Sequence, residues 1–285
     1  MLLTFLGTGT SNGVPVIGCE CEVCKSADPR DRRLRSSVLL EFQAGEVAMP
    51  PVTVGGEYRL DEDSLLVAPG SASLRILIDC GPDFRQQMLG QPYGPIHALL
   101  VTHEHYDHVG GIDDIRPFCV FGSIPIYGEP LVVRHLAERM PYCFGESRYP
   151  SAPKLQLHTI APFQPLQIKG VEIMPLRVMH GKLPILGFKI GRFAYITDMS
   201  ALPEETVTHL YGLDTLVVNA LRRQPHPTHQ SIAEAADLIR QLKPRRAYIT
   251  HLAHSAGLHA GSPSLLPDNT VFAYDDLQVS IQNAM

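Results

Sequence analysis

The sequence predicts a mixed α/β (α+β) protein in which two mixed β-sheets pack face to face with helices on their outer surfaces, an αββα sandwich. Two observations point there. Strand signals come in runs over the first third and then alternate with helical patterns, which suits two covered sheets better than one doubly wound sheet. Histidine and aspartate recur where those strands end, the pattern of one site assembled from several loops. The 285 residues read as a single domain over 1–285, with a surface insertion at about 43–73.

The elements follow in order. Leu2–Leu6 is a short apolar run feeding the glycine turn Gly7-Thr8-Gly9. Ser36–Phe42 and Leu74–Asp79 read as the next strands. The stretch between them carries Pro50, Pro51, Gly55, Gly56, Pro69 and Gly70, is long for a strand connection, and suggests a hairpin at Tyr58–Val67. Pro82 and Asp83 open a helix that runs to Leu89. Ile96–Thr102 is a buried strand that runs straight into HEHYDH, and a helix is expected over Val109–Val120. A strand at Ile124–Tyr127 and an amphipathic helix at Glu129–Met140 come next. Strands continue at Leu155–Ile160, Leu166–Ile168, Val171–Val178, Gly187–Ile190, Arg192–Thr197 and Leu213–Asn219. Ile232, Ala235, Ala236, Ile239 and Leu242 give Gln230–Leu242 a helical period, and Arg246–Thr250 closes the series as a strand ending at His251.

Composition narrows the function classes. With 45% hydrophobic and 19% charged residues the chain can bury a core, which excludes disorder and coiled coil. The 24 basic and 29 acidic residues leave a formal charge of −5, which argues against nucleic acid or an anionic membrane as partner. No apolar run is long enough to span a bilayer, and MLLTFLGTGTSNG lacks the basic start and cleavage site of a signal peptide, so a cytoplasmic protein is expected.

Thirteen histidines and six cysteines are unevenly placed. Cys19, Cys21 and Cys24 form a C-x-C-x-x-C cluster, which in a reducing compartment reads as a metal site. Cys80, Cys119 and Cys143 stand alone in apolar surroundings and read as buried residues. His103, His105, Asp107 and His108 put four potential ligands into six residues after a buried strand, and on a loop they can divide into two sets, as a dinuclear centre needs. Imidazole and carboxylate suit zinc, manganese and iron. His180, Asp198 (in AYIT-D) and His251 (in AYIT-H) share the strand-end position; singly each could be structural, but together the set is five His and two Asp. Asp79 reads either as a turn aspartate or as a carboxylate orienting a ligand histidine. Tyr106, in the variable slot of the motif, reads as packing. Arg222, Arg223, Arg245 and Arg246 read as solvated, and Asp113, Asp114 and Arg116 receive no role.

With LGTGT, HEHYDH, His180, Asp198 and His251 in view, the sequence resembles the metallo-β-lactamase superfamily from Met1 to about Ala260. The resemblance implies an αββα sandwich with the site at one edge. His103, His105 and His180 would hold one divalent ion, Asp107, His108 and His251 the other, and Asp198 would bridge them. GCECEVC and His254 in THLAH resemble the branch containing the phosphoribosyl 1,2-cyclic phosphate phosphodiesterase of the carbon–phosphorus lyase pathway. There Cys19, Cys21, Cys24 and His254 would bind a structural zinc. His229 in HPTHQS matches a histidine that the branch places beside the substrate, with His226 three residues away as its competitor. The 43–73 insertion departs from the compact pattern of that branch. The intact HEHYDH separates the chain from the pyrroloquinoline quinone biosynthesis protein B group, which has a similar cysteine cluster and a degraded metal motif.

The expected function is a metal-dependent hydrolase, a dinuclear phosphodiesterase acting on a small, cyclic phosphate ester through a metal-bridging hydroxide of lowered pKa. Asp107 and His229 are its catalytic candidates, His229 as donor to the leaving alkoxide. Its cofactors would be two divalent ions (zinc, manganese or iron) and one structural zinc. A homodimer is compatible with the resemblance. Two alternatives stand: a tRNA 3′-end processing ribonuclease, against which the acidic insertion counts, and a non-catalytic zinc-binding accessory protein, against which the intact seven-ligand set counts.

Overall fold

The computed structural model describes residues 1–43, 46, 57–58, 66–67, 73–144 and 152–282. The first eight strands of the described residues are β1 (Leu2–Gly7), β2 (Ser37–Gln43), β3 (Glu57–Tyr58), β4 (Leu66–Val67), β5 (Ser73–Ile78), β6 (Ala98–Leu100), β7 (Ile124–Gly128) and β8 (Leu155–Thr159). The second half adds β9 (Leu166–Ile168), β10 (Val171–His180), β11 (Leu183–Ile190), β12 (Phe193–Ile196), β13 (Thr215–Asn219), β14 (Arg246–Thr250), β15 (Thr270–Phe272) and β16 (Gln278–Ser280). One seven-stranded sheet has the order β16-β1-β2-β5-β6-β7-β8 and the other β15-β14-β13-β12-β11-β10-β9. β3 pairs only with β4, which accounts for the two ends of the hairpin expected at Tyr58–Val67. Most of the 43–73 insertion lies outside the described residues.

Both sheets follow one plan, which no sequence repeat discloses. Antiparallel ladders at one side give way to three parallel ladders, β5 to β8 in the first sheet and β12 to β15 in the second. Parallel strands buried on both faces read as continuous apolar runs, and these do. Leu74, Ile76 and Ile78 of β5 face the other sheet with Leu186, Phe188, Tyr195 and Val217, while Leu77 joins the layer outside. The sheet-to-sheet core is therefore apolar throughout, and polar chemistry is pushed to the strand ends.

Helices cover the outer faces. α1 (Phe84–Leu89), α2 (Tyr106–Val109), α3 (Pro130–Arg139) and α4 (Pro141–Phe144) lie on the first half of the chain. α5 (Glu204–His209) and α6 (Ile232–Leu242) follow in the second. α6 begins at a capping box between Ser231 and Glu234 and buries Ile232, Ala235, Ala236, Ile239 and Leu242. The helix expected over Val109–Val120 is corrected: α2 is a single turn, and a 3-10 helix runs over Ile112–Phe121. The reason is local. A Cβ on Gly111 would collide with the Gly81 carbonyl oxygen, so the chain stays glycine there and packs backbone on backbone. Pro117, inside the later turn, also has no N–H to donate to an α-helical ladder. Among the described residues no helix is long and apolar enough to cross a membrane.

Candidate metal centre

The site lies at the C-terminal ends of the parallel strands. β12 and β14 flank β13, and Ala194 and Ala247 both stand opposite Leu216, as Ile196 and Ile249 stand opposite Val218. The repeated tetrapeptide Ala-Tyr-Ile-Thr thus runs in lateral register, and it delivers Asp198 and His251 at the same height. Asp79 follows β5 in the same way. All three residues sit in the left-handed region, with φ of 61° at Asp79, 60° at Asp198 and 58° at His251. For non-glycine residues that conformation costs free energy and turns the side chain sharply out of the strand direction, the kind of strain that clusters at sites. Asn219, at the end of β13, accepts from Met199 N–H (2.7 Å) and donates to its carbonyl (3.0 Å), bracing the turn behind Asp198.

The HEHYDH segment divides as its backbone dictates. His103 to His105 follow β6 without regular structure, with His105 extended (φ −61°, ψ 145°) before the first residue of α2, and Asp107 and His108 then lie on that turn. Two donor groups result, each with its ligand atoms within 4.8 Å of one another: His103, His105, His180 and Asp198, and Asp107, His108, Asp198 and His251. Asp198 belongs to both. His254 gathers the three cysteines likewise, its Nδ1 lying 3.2 Å from Cys19 Sγ, 3.3 Å from Cys21 Sγ and 3.5 Å from Cys24 Sγ.

Neighbouring groups decide which imidazole nitrogen is free. His180 Nδ1 lies 2.7 Å from the Thr228 carbonyl, which can only accept, so Nδ1 carries the proton and Nε2 faces the site. His108 Nδ1 donates to Asp79 Oδ2 at 2.7 Å. Asp79, fully buried, also accepts from Thr102 N–H (2.9 Å) and Thr102 Oγ1 (2.9 Å), and that spent hydroxyl accepts from His103 Nδ1 at 3.0 Å. Asp79 is therefore an orienting carboxylate rather than a turn residue, and it sets two ligand rings at once. Thr102 and the Thr228 carbonyl were not singled out in the sequence; a Thr directly before the first motif histidine was the available signal.

The donor set fits divalent ions. His108 Nε2 and His251 Nε2 are buried and have no hydrogen-bond partner among the described residues. Yet His108 Nε2 stands 3.3 Å from Asp198 and 3.4 Å from Asp107, and His251 Nε2 stands 3.0 Å and 3.6 Å from the same two carboxylates. Those separations match the edges of a tetrahedron of N and O ligands about 2 Å from zinc, roughly 3.3 Å. The sulfur–nitrogen separations fit the slightly larger edge of a three-thiolate, one-imidazole zinc site in the same way.

Electrostatics agree. Burial penalises the charged form of Asp198, but His251 and His108 outweigh it and hold the carboxyl well below its usual range. Burial also opposes a charged His108, and there Asp198, Asp79 and Asp107 prevail and raise it. His103 is driven down by burial and by His108. The Cys21 thiol is held down to about 6, chiefly by the Cys24 backbone N–H.

His229 stands over this centre, its ring centroid 4.6 Å from that of His180 and 5.0 Å from that of His251. Burial first and His251 second push it down to about 3, so the ring is neutral there. His226 lies one step further out, 5.2 Å from His229, with Nδ1 accepting from Thr228 N–H at 3.4 Å. Of the arginines read as solvated, Arg223, Arg245 and Arg246 are exposed and Arg222 is half-buried. Arg222 donates to the Pro225 carbonyl (3.1 Å) and Arg223 to the Ala256 carbonyl (3.2 Å), while Arg246 opens β14 at the end opposite the site. Cys80, Cys119 and Cys143 are buried, as expected. Tyr106, read as packing, lies with its ring against Gly110 of its own turn and is otherwise 66% exposed.

Comparison with known proteins gives three kinds of match. The sequence pattern of the Beta-lactamase superfamily domain covers residues 74–252. An octanoyltransferase of Porphyromonas gingivalis is 39% identical over 282 residues, 99% of this chain and 52% of that protein, so the chain spans about half the relative's length. A coenzyme PQQ synthesis protein B of Methylorubrum extorquens is 24% identical over 246 residues, 76% of this chain and 72% of that one. The crystal structure of a diphosphatase from the PhnP family superposes with a TM-score of 0.80 at 33% identity, covering 98% of this chain and 96% of that chain.

Proposed function

Since the chain belongs to the beta-lactamase superfamily, a fold whose members are generally metal-dependent hydrolases, we propose that it is a dinuclear phosphodiesterase acting on a small, cyclic phosphate ester. One observation carries the reading: two four-donor groups share Asp198 and face the same half-buried histidine, His229. The likeness to a PhnP-family diphosphatase supports phosphoryl chemistry at such a centre.

His103, His105 and His180 would hold one ion, Asp107, His108 and His251 the second, with Asp198 common to both. Ions bound there would supply Lewis-acid stabilisation of phosphate oxygens and lower the pKa of an attacking water. The chain's own residues do the rest. Asp79, Thr102 and the Thr228 carbonyl hold three ligand rings in the tautomer that leaves Nε2 facing the centre. His229, neutral in the free site, can donate one N–H to a phosphate oxygen. The negative charge of a bound phosphate favours its imidazolium, which can then pass a proton to the departing alkoxide. The cysteine–histidine cluster would hold a structural zinc, since four protein ligands leave no position for water.

The relative named octanoyltransferase suggests acyl transfer as a second reading. Here Cys80 and Cys119 have thiols raised by burial, and the other three cysteines of the described set beside Cys143 are gathered on His254. We assign that activity to the part of the relative that this chain does not match.

The test is hydrolysis of a five-membered cyclic phosphate by the metal-loaded protein, comparing His229→Ala with His226→Ala. His229→Ala should lose roughly a hundredfold in kcat while keeping its metals. No turnover of cyclic or linear diesters by the wild type overturns the reading, and the same loss in His226→Ala with His229→Ala intact moves the donor to the outer histidine.

A further inference from the structure

His226 and His229 lie on a loop that is closed at its neck. Leu221 N–H donates to the Gln230 carbonyl (2.9 Å) and Ile232 N–H to the Arg222 carbonyl (2.9 Å), so residues 223–229 leave and return at one point. Inside the loop, Arg222 holds the Pro225 carbonyl at 3.1 Å. At its far end the Thr228 carbonyl lies 2.7 Å from His180 Nδ1, so that end rests on the metal centre.

The near end rests on the turn that carries His254. Arg223 is the first residue of the loop, and its Nε donates to the Ala256 carbonyl at 3.2 Å. Its guanidinium also lies on Gly257, where a Cβ would stand 2.7 Å from Nη2, 3.4 Å from Cζ and 3.5 Å from Nε. Gly257 has a φ of 101°, which glycine adopts without strain. Glycine there both makes the turn and leaves room for the flat fork. Arg223 is exposed, so the guanidinium keeps water on its outer side and is held at little desolvation cost. The turn itself is braced: Gly257 N–H donates to the His254 carbonyl (3.2 Å) and Ala253 N–H to the Leu221 carbonyl (2.9 Å). The second of these bonds stops at the neck, whereas Arg223 reaches past it into the loop.

We propose that Arg223 is a positioning residue joining the cysteine–histidine cluster to His229. An ion held by Cys19, Cys21, Cys24 and His254 fixes the turn, and Arg223 carries that constraint into the loop that sets His229 over the two-ion centre. The cluster then acts on the reaction as well as on stability. The proposal rests on the phosphodiesterase reading for the rates it predicts and on the contacts of Arg223 for the coupling itself.

The experiment compares wild type, Arg223→Ala, Arg223→Lys, Cys21→Ser and the double variant Cys21→Ser/Arg223→Ala, each well below its melting temperature. The probes are ethylene phosphate, which expels an alkoxide that needs a proton, and o-phenylene phosphate, which expels a phenoxide that needs one far less. Arg223→Ala should keep all its metals and lose about tenfold in kcat on ethylene phosphate, with less than about a twofold change on phenylene phosphate. Arg223→Lys, which can still donate to the Ala256 carbonyl, should recover most of that loss. Cys21→Ser should show the same selective loss, and the double variant should lose no more than Arg223→Ala alone. Nuclear magnetic relaxation of the His229 ring C–H in zinc-loaded, histidine-labelled protein gives a readout that needs no turnover. Its order parameter should fall in Arg223→Ala and in Cys21→Ser, on a scale where about 0.85 is rigid and below about 0.6 is flexible. Unchanged rates and ring order in Arg223→Ala, equal losses on the two esters, or losses that multiply in the double variant overturn the coupling. If the wild type hydrolyses neither ester, the phosphodiesterase reading fails by itself, and the ring order decides the coupling alone.

Discussion

Asp198 ties the centre together because, among the described residues, it is the one carboxylate that belongs to both donor groups. Its oxygens stand 3.0 Å from His251 Nε2, 3.3 Å from His108 Nε2 and 3.6 Å from His103 Nε2. Removing it opens both groups at once. Asp198→Ala should lose metal from both positions by elemental analysis, whereas His180→Ala, which removes a donor from one group, should lose mainly one equivalent; full occupancy in Asp198→Ala would show that the carboxylate is not shared. At this scale most of the site was legible, because ligand chemistry is restricted to a few residue types and here they fall in one motif and three strand-end positions. What sets them was not. The Thr228 carbonyl that orients His180 is a backbone atom and leaves no trace in residue type. Asp79 could be narrowed only to two roles until its buried contacts with Thr102 and His108 appeared. The exposure of Tyr106 was not legible, because it is decided by the turn the residue sits on, and a one-turn helix has no periodicity to read.

Elements place these residues by register. β12 and β14 carry the same tetrapeptide at the same level on either side of β13, and a slip of one residue in either would shift its ligand by about 3.3 Å and turn it to the other face. Long or strongly patterned elements such as β14 and α6 were visible in the sequence for that reason. β15, β16 and α5 went unseen: the two strands have three residues each, too few for a pattern, and exist because neighbouring strands pair with them. The loop before β2 is held differently. Cys19, Cys21 and Cys24 meet His254, just beyond β14, so an ion there would pin the N-terminal loop to the end of the second sheet. Each Cys→Ser variant should lose one equivalent of zinc and melt at a lower temperature while the two-ion centre stays loaded. Unchanged zinc content and melting temperature in all three would exclude this site.

Across the whole molecule, each donor group draws half its side chains from either sheet: His103 and His105 against His180 and Asp198, and Asp107 and His108 against Asp198 and His251. The αββα class was legible because the order of strand and helix signals fixes which faces need cover. The matching antiparallel-then-parallel plan of the two sheets was not, since different sequences satisfy one topology. The even division of donors has a thermodynamic consequence. An ion that binds only when the two sheets are docked is linked to their docking by mass action, so each tenfold rise in its free concentration above Kd adds about 1.4 kcal/mol per site to the stability of the closed sandwich. Titrating the protein with a chelator at fixed protein concentration should therefore lower the melting temperature in step with the logarithm of the free ion, and Asp198→Ala should flatten that slope. The ion concentration of the surroundings thereby becomes a variable that sets how firmly the two halves of the chain hold each other.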